Sequence, residues 1–320
     1  MARAEALWDA SQRSGITVLL REHPAYPRRL AEEPRVPPIL FCLGDPAALN
    51  AQPTVALVGT RSPTRYGIGI AAQFGAELSA AGVSVISGLA LGIDGAAHEG
   101  ACGAGAPPIA VVAGGLDRPY PQRHARLWER VAHCGAIVTE SPAGVRTEKW
   151  RFPVRNRMLA ALSDVVVVVE SHHHGGSQHT VEAAVTRGIP VGAVPGSIRS
   201  AASEGTNALL ADGAFPVSSA ADVLVALSLA GAAVPSPKTA AARSATTAAA
   251  SGDPPAPAAG DGAELTGDQR AVYDAITQDP MSLEELGRQT GLAFPALCGA
   301  LERLAQAGLA HDSGGWWGRL

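Results

Sequence analysis

Seven short apolar runs recur between residues 54 and 217: Thr54–Val58, Val83–Ser87, Ile109–Ala113, Ala136–Thr139, Val165–Glu170, Pro190–Val194 and Ala214–Val217. Inside each run the apolar positions are consecutive and do not alternate with polar ones. Strands buried on both faces of a parallel sheet have this pattern. Amphipathic stretches such as Gln122–His133 and Gln178–Arg187 fall between the runs, and a helical segment starts near Gly67. Strand and helix alternating over this length predict an α/β domain with a doubly wound, mostly parallel sheet.

The flanks follow other patterns. Residues 1–50 offer a short helix over Ala2–Arg13 and then a proline-rich stretch through Pro34–Pro38. Proline at that density precludes regular helix and predicts an N-terminal extension packed along the main domain as an extended strap. The main domain is expected over residues 51–230. Residues 231–263 are nearly all Ala, Pro, Ser, Thr and Gly, too poor in large apolar side chains to bury a core, which predicts a disordered linker. In the tail, 264–320, helical patterns cover Thr266–Thr277, Ser282–Gln289 and Pro295–Ala307, with Ser282 and Glu285 at capping-box spacing. Gly308–His311 and Trp316–Arg319 then read as a hairpin around Asp312–Gly315. Helix, helix-turn-helix and hairpin in that order outline a small winged helix.

Composition narrows the classes. At 320 residues the chain is long enough for more than one core, and 47% hydrophobic against 17% charged residues describes a globular protein. A net charge of −4 excludes a global polyanion-binding surface, so any anion site is a local patch. The four cysteines, Cys42, Cys102, Cys134 and Cys298, lie far apart with no CxxC and no paired histidine spacing. That speaks against a zinc site or a disulfide scaffold and fits a reducing cytoplasm. The first residues lack the apolar core of a signal peptide, and no apolar run reaches membrane-spanning length, so a cytoplasmic protein without a membrane span is expected.

The candidate chemistry lies at strand ends. Thr54–Val58 ends in Gly59-Thr60-Arg61-Ser62, and Val83–Ser87 opens onto Gly88-Leu89-Ala90-Leu91-Gly92-Ile93-Asp94. Both turns fall on the carboxyl edge of the sheet, where open α/β sheets bind ligands and helix N-termini favour anions. Arg61 either presents its bidentate fork to a phosphate or forms a salt bridge across the domain surface. Asp94 and His98 are four apart, hence on one helical face, either as an acid–base pair or as a carboxylate hydrogen-bonded to an imidazole that fixes the turn. Gly67-Ile68-Gly69-Ile70-Ala71-Ala72 matches a dinucleotide GxGxxA in letters, but it lies eight residues past the strand and reads as helix packing through small residues. No GxxxxGK[ST] occurs, which excludes a P-loop nucleotidase. His172-His173-His174 diverge as consecutive side chains must, and read as an exposed loop instead of a chelate.

The most cationic short run is Lys149-Trp150-Arg151-Phe152-Pro153-Val154-Arg155-Asn156-Arg157, four basic residues interleaved with two aromatics. Charge that tracks a backbone beside rings that stack on bases is what single-stranded nucleic acid requires; the alternative is a solvated loop with its rings tucked into the core. No cofactor or metal motif stands out. A second reading, a nucleotide or nucleotide-sugar hydrolase on a Rossmann variant, rests on Gly175-Gly176-Ser177-Gln178-His179-Thr180-Val181-Glu182, whose spacing departs from PGGxGTxxE.

Together these stretches resemble the DNA-processing protein A family (DprA, also called Smf). The resemblance runs from about Leu40 to Leu227 through VGTR at Val58–Arg61, SGLALGID with AH at Ser87–His98, GGLD and YP at Gly114–Pro121 and FPVRNR at Phe152–Arg157. It continues through Glu170, PG at Pro195-Gly196, GTN at Gly205–Asn207 and DGA at Asp212–Ala214. It implies an extended Rossmann-like fold followed by a winged helix. The implied function is non-enzymatic: a homodimer that binds and protects single-stranded DNA and loads the RecA recombinase onto it in natural transformation. It also implies phosphate contacts from Arg61 and Lys149 and a base contact from Phe152. Arg155, Asn156 and Arg157 match the motif, and the surrounding turns contribute Gly59, Ser62, Ser87, Gly88, Gly92 and Ser177. Two departures stand out. The loop after Glu170 carries the three histidines where relatives read SGSL, although Ser177 and Thr180 keep their places. The tail holds eight acidic and four basic residues from Glu264 to Leu320, which suits a protein-interaction module better than a second DNA reader.

Overall fold

The computed structural model describes residues 8–9, 11–33, 37–173, 175–233, 265, 267–276, 281–312 and 316–319. The chain divides into two units, Met1–Ala250 and Ser251–Leu320. In the first, β1 (Thr17–Leu20), α1 (Arg28–Ala31), β2 (Ile39–Gly44), β3 (Thr54–Val58), α2 (Arg65–Ala80), β4 (Ser84–Ser87) and α3 (Ile93–Ala101) follow in order. Next come β5 (Ile109–Val111), α4 (Ala125–Cys134), β6 (Ala136–Thr139), α5 (Arg151–Ala161), β7 (Val165–Val168) and α6 (Gln178–Thr186). β8 (Val191–Ala193), α7 (Glu204–Ala211), β9 (Phe215–Pro216) and α8 (Ala220–Leu229) complete the unit.

These strands form one nine-stranded sheet in the order β1-β2-β6-β5-β4-β3-β7-β8-β9. The seven strands from β6 to β9 are mutually parallel. The chain builds outward from β3 through β4, β5 and β6, then returns to the other side of β3 with β7. The strand order therefore reverses between β3 and β7, and the crevice above that point is where open α/β sheets bind ligands.

Both faces of the central strands are covered, as their unbroken apolar runs require. Ala56 and Val58 of β3 and Val166 and Val168 of β7 pack with Met158 and Leu159 of α5, Val181 of α6 and Leu209 of α7. Their alternates, Val55, Leu57, Val165 and Val167, pack with Phe74 and Leu78 of α2, Ile93 and Ala97 of α3 and Val223 and Leu227 of α8. Leu127, Trp128 and Val131 of α4 close the same side under β5 and β6. The period of two thus assigns every residue of β3 and β7 to one of two buried layers. Helices α2 and α3 approach closely through small residues: a Cβ on Gly75 would stand 2.2 Å from the Ala97 carbonyl oxygen, and one on Gly100 would stand 1.9 Å from that of Ala72.

The N-terminal region corrects an expectation. The predicted strap contains two strands of the sheet: β2 pairs antiparallel with β6, from Phe41 opposite Thr139 to Gly44 opposite Ala136, and β1 pairs antiparallel with β2. The prolines end before Ile39, and Ile39-Leu40-Phe41-Cys42-Leu43 is itself an apolar strand run that covers the edge of β6. Most of the helix expected over Ala2–Arg13, residues 34–36 of the proline-rich stretch, and the linker from 234 onward lie outside the described residues.

The second unit contains α9 (Gly267–Ala275), β10 (Met281–Ser282), α10 (Leu283–Thr290), α11 (Phe294–Gln306), β11 (Ala310–Asp312) and β12 (Trp316–Arg319). Its sheet runs β10-β12-β11, antiparallel throughout. Val272, Ile276, Leu286, Leu297, Leu301 and Leu304 form its core. This is the winged helix expected, with a third strand, β10, that two residues are too few to announce. The Ser282–Glu285 capping box lies outside the described side chains. No described helix is long and apolar enough to cross a membrane.

Candidate nucleic-acid interface

A cleft of about 430 Å³ opens above the β3/β7 reversal, lined by the turns after those strands and by the N-terminal half of α5. The turn after β3, Gly59 to Thr64, is fixed from below. The Thr60 N–H donates to the Glu170 carbonyl (2.7 Å), and the Ile93 N–H donates to the Thr60 carbonyl (3.2 Å). Glu170, buried to 1% exposure, accepts from the Thr64 N–H (2.9 Å) and from Thr64 Oγ1 (2.6 Å), while Thr64 caps α2 by accepting from the Gly67 N–H. There is no room for a side chain at Gly59, where a Cβ would lie 2.6 Å from the Glu170 carbonyl oxygen. At Gly67 a Cβ would strike the Glu170 carboxylate, whereas Gly69 faces open space. Of the GxGxxA glycines, only the first therefore serves packing. The buried acid holds the turn that carries Arg61.

Among the described residues Arg61 bridges to no carboxylate. Its guanidinium carbon lies 4.1 Å from the centroid of the Phe152 ring, a cation–π stack on the cleft wall. Tyr120 stands beyond, its ring 6.2 Å from that of Phe152 and tilted by 46°. Lys149 is exposed on the same rim. Among the described residues neither Arg61 nor Lys149 makes an ion pair, in contrast to Arg29, Arg130, Arg151, Arg157 and Arg187.

From Arg151 onward the basic-aromatic run is helix and not loop, with Lys149 and Trp150 in the turn before it. Phe152, Asn156 and Leu159 of α5, together with Pro153 and Arg155, face the cleft. Trp150, Arg151, Val154 and Arg157 face a separate groove with Glu140 and Ser141, a groove that Arg155 also reaches. There Arg157 is bound to Glu140 (2.5 Å) and Arg151 stacks over Trp150 at 4.2 Å. Of the predicted site residues, the cleft thus unites Gly59, Arg61, Lys149, Phe152, Arg155, Asn156 and Ser177, and Arg157 stands apart. Asn156 donates to the Gly176 carbonyl (3.1 Å) and Ser177 shares a hydrogen bond with Ser171 (2.8 Å), which ties the divergent loop to α5.

The remaining predicted residues sit behind or beside the cleft. Ser87 is buried and donates to the Leu57 carbonyl (2.6 Å), a link between β4 and β3. Ser62 is exposed at the turn, its N–H donating to Thr60 Oγ1 (3.2 Å). Gly92 starts α3 at φ 84°, and a Cβ there would press on the Thr60 carbonyl oxygen at 2.4 Å. Gly88 lines a small adjoining recess of about 70 Å³ with Tyr120, Trp128 and Thr147, which shares Arg61, Phe152 and Arg155 with the main cleft. A Cβ on Gly88 would stand 1.8 Å from Arg155 Nη1, so the glycine makes room for the guanidinium that crosses it. Tyr120, His179 and Thr180 also line these cavities, although sequence reasoning names none of them as site residues; their only signal is their neighbourhood to family motifs.

Arg155 is 4% exposed and donates from Nη2 to the Gly88 carbonyl (3.4 Å); Asp94, 7% exposed, acts on it through its charge. Burial pushes the Asp94 carboxyl above the usual carboxylate range, opposed by Arg155, the Ala90 N–H, Arg61 and the Gly88 N–H. Burial also lowers Arg155 to about 10, with Asp94 opposing and Arg61 reinforcing the shift. The expected contact between Asp94 and His98 is absent: the fully buried imidazole faces the Ser87 backbone, Arg155 and His124 and is pushed down to about 4, chiefly by burial. Asp94 and His98 are therefore architecture around Arg155, with no acid–base pair between them. Glu182, central to the hydrolase reading, is 74% exposed beside His179 and outside the cleft lining. His172 Nδ1 donates to the Ala201 carbonyl (3.0 Å), and His174 lies outside the described residues.

The model of the DNA recombination-mediator protein A family matches residues 17–228, beginning at the first residue of β1, and that of the DprA winged helix domain matches 254–312. The chain belongs to this family. It is 38% identical over 285 residues to a DprA-type chain of Mycobacterium tuberculosis, covering 88% of this chain and 68% of that one. It is 34% identical over 214 residues to the DNA processing protein DprA of Bacillus subtilis, covering 67% and 72%. Among solved structures, DprA of Streptococcus pneumoniae superposes with a TM-score of 0.63 at 34% identity, over 68% of this chain and 77% of that one. DprA of Helicobacter pylori, described for its single-stranded DNA binding mode, gives 0.60 at 29% identity, over 66% and 95%. Family membership makes this a DprA-type DNA-processing, recombination-mediator protein.

Proposed function

We propose that the first unit binds single-stranded DNA across the cleft above β3 and β7. Arg61 and Lys149 neutralise successive phosphates, Phe152 stacks on a base, and Arg155, bonded to the Gly88 carbonyl beside the charge of Asp94, shapes the floor. The observation that carries this reading is two exposed cations that make no ion pair among the described residues, beside an aromatic ring at the point where the strand order reverses. The α5 and α6 N-termini at the same edge add a field that favours anions. Gly59, Ser62, Ser87, Gly88, Gly92 and Ser177 act through the backbone turns that they build. The single-stranded binding mode described for the Helicobacter pylori relative supports the same ligand.

Beyond binding, the reading assigns protection of the strand and its delivery to the RecA recombinase during natural transformation, by a cytoplasmic homodimer. Support comes from the family's description as a recombination mediator. The acidic winged helix serves protein contacts in this scheme. No catalytic role is assigned. The test is competition at fixed salt between a labelled single strand and unlabelled single- or double-stranded DNA of equal length. The single strand is expected to displace the probe at least tenfold more effectively; equal competition by duplex contradicts a site built for unstacked bases.

A further inference from the structure

The two cysteines that sequence spacing kept apart, Cys102 and Cys134, meet in space. Cys102 follows the last residue of α3 and Cys134 ends α4, and their Sγ atoms are 3.4 Å apart. All four cysteines are free thiols, and these two are half-buried, open enough for a small oxidant to reach. Both lie just before β5 and β6, at the amino-terminal edge of the parallel strands, opposite the cleft. An S–S bond of about 2.05 Å requires only about 1.4 Å of closure between the sulfurs, within reach of side-chain rotation.

We propose that Cys102 and Cys134 are a redox modification site that forms a reversible intramolecular disulfide on exposure to a hydroperoxide. The inference is independent of the DNA-binding reading. The chemistry has a defined order. Once Cys134 is ionised, the Cys102 thiol donates across the 3.4 Å gap; that hydrogen bond, assisted by the Gly103 N–H and Arg130, brings Cys134 down to about 7 against the opposing effect of burial, while the same pairing and burial push Cys102 up. Cys134 is therefore the attacking thiolate. Its sulfur bonds to one peroxide oxygen, the O–O bond breaks, and the other oxygen leaves with a proton as water or an alcohol, giving a sulfenic acid at Cys134. The Cys102 sulfur then attacks Cys134. The S–S bond forms, and the hydroxide expelled takes up the Cys102 proton as water. Two thiols lose two electrons and the peroxide gains them. The bond cross-links the ends of α3 and α4 and closes the intervening chain, which restricts the unfolded state.

The test treats the reduced, purified full chain with a small excess of hydrogen peroxide, alkylates it under denaturing conditions and maps the peptides by mass. Two of the four cysteines are expected to escape alkylation, the mass to fall by two hydrogens and a Cys102–Cys134 linked peptide to appear, all reversed by a thiol reductant. The oxidised form is expected to unfold at a higher temperature than the reduced form. In Cys102→Ser the reaction is expected to stop at a sulfenic acid on Cys134, trapped by a 1,3-diketone. Full alkylation of all four cysteines after oxidation, a cross-link that uses Cys42, Cys298 or a second chain, or Cys134 converted to sulfonic acid without any cross-link overturns the proposal.

Discussion

At the scale of single residues, Phe152 and His98 carry the clearest expectations. Phe152 offers a ring to a base and also seats the Arg61 guanidinium. Phe152→Ala is expected to weaken single-strand binding by about 1–3 kcal/mol per stacked base, roughly 5- to 150-fold, with little change in salt dependence, as measured by fluorescence anisotropy. A change in salt slope without a loss of affinity at low salt would remove the ring from the site. His98 is neutral in the folded state down to about pH 4, because burial opposes its charge. Its folded pKa lies below the unfolded value near 6.5, so its contribution to stability is complete above pH 6.5 and is lost as pH falls toward 4. The loss reaches about 3 kcal/mol at the bottom of that window. Asp94, whose pKa is raised, acts in the opposite sense at the acid end. Denaturant unfolding of wild type and His98→Gln from pH 7 to 4 is expected to give a steeper decline for wild type. Parallel profiles would show that His98 does not titrate as its burial requires.

At the scale of elements, α5 explains why part of the site was legible and part was not. The run from Lys149 to Arg157 advertises its charges and rings, yet a helix turns about 100° per residue and divides them between two surfaces. Phe152 and Asn156 go to the cleft and Arg157 goes to Glu140. The letters alone give no period to separate them, because nothing in the run marks a helix start at Arg151. Arg157→Ala is expected to leave single-strand affinity within about twofold, whereas Arg155→Ala, which leaves Asp94 buried without its cation, lowers both affinity and stability. Equal loss of affinity in the two variants would contradict the division. The strands were legible for the opposite reason: a residue buried on either face is apolar whichever way it points, so Thr54–Val58 and Ala136–Thr139 announce themselves without knowledge of the partner strand. β2 was hidden behind the prolines and β1 spans only four residues, and the pairing of β2 with β6 is a long-range contact that no local pattern contains.

At the scale of the molecule, the central claim is that the nine-stranded sheet creates the DNA site at its reversal point and that two cations, Arg61 and Lys149, supply the electrostatic attraction. The overall charge of −4 makes this a local effect, so the neutralisation of two phosphates should be visible against a small background. Pieces distant in sequence must meet for it: the turn after β3, the loop after β7 and the start of α5. Of these, only the turn after β3 was placed in advance at the carboxyl edge of the strands; the meeting with the other two, the Glu170–Thr64 brace and the clearance that Gly88 gives Arg155 required the packed structure. The most direct test is the salt dependence of binding to a short single strand by wild type and by Arg61→Ala/Lys149→Ala. With about 0.7 counterions released per phosphate neutralised on single strands, the double variant is expected to bind more weakly with a log–log slope shallower by about 1.4; unchanged affinity and slope would contradict the placement of the site.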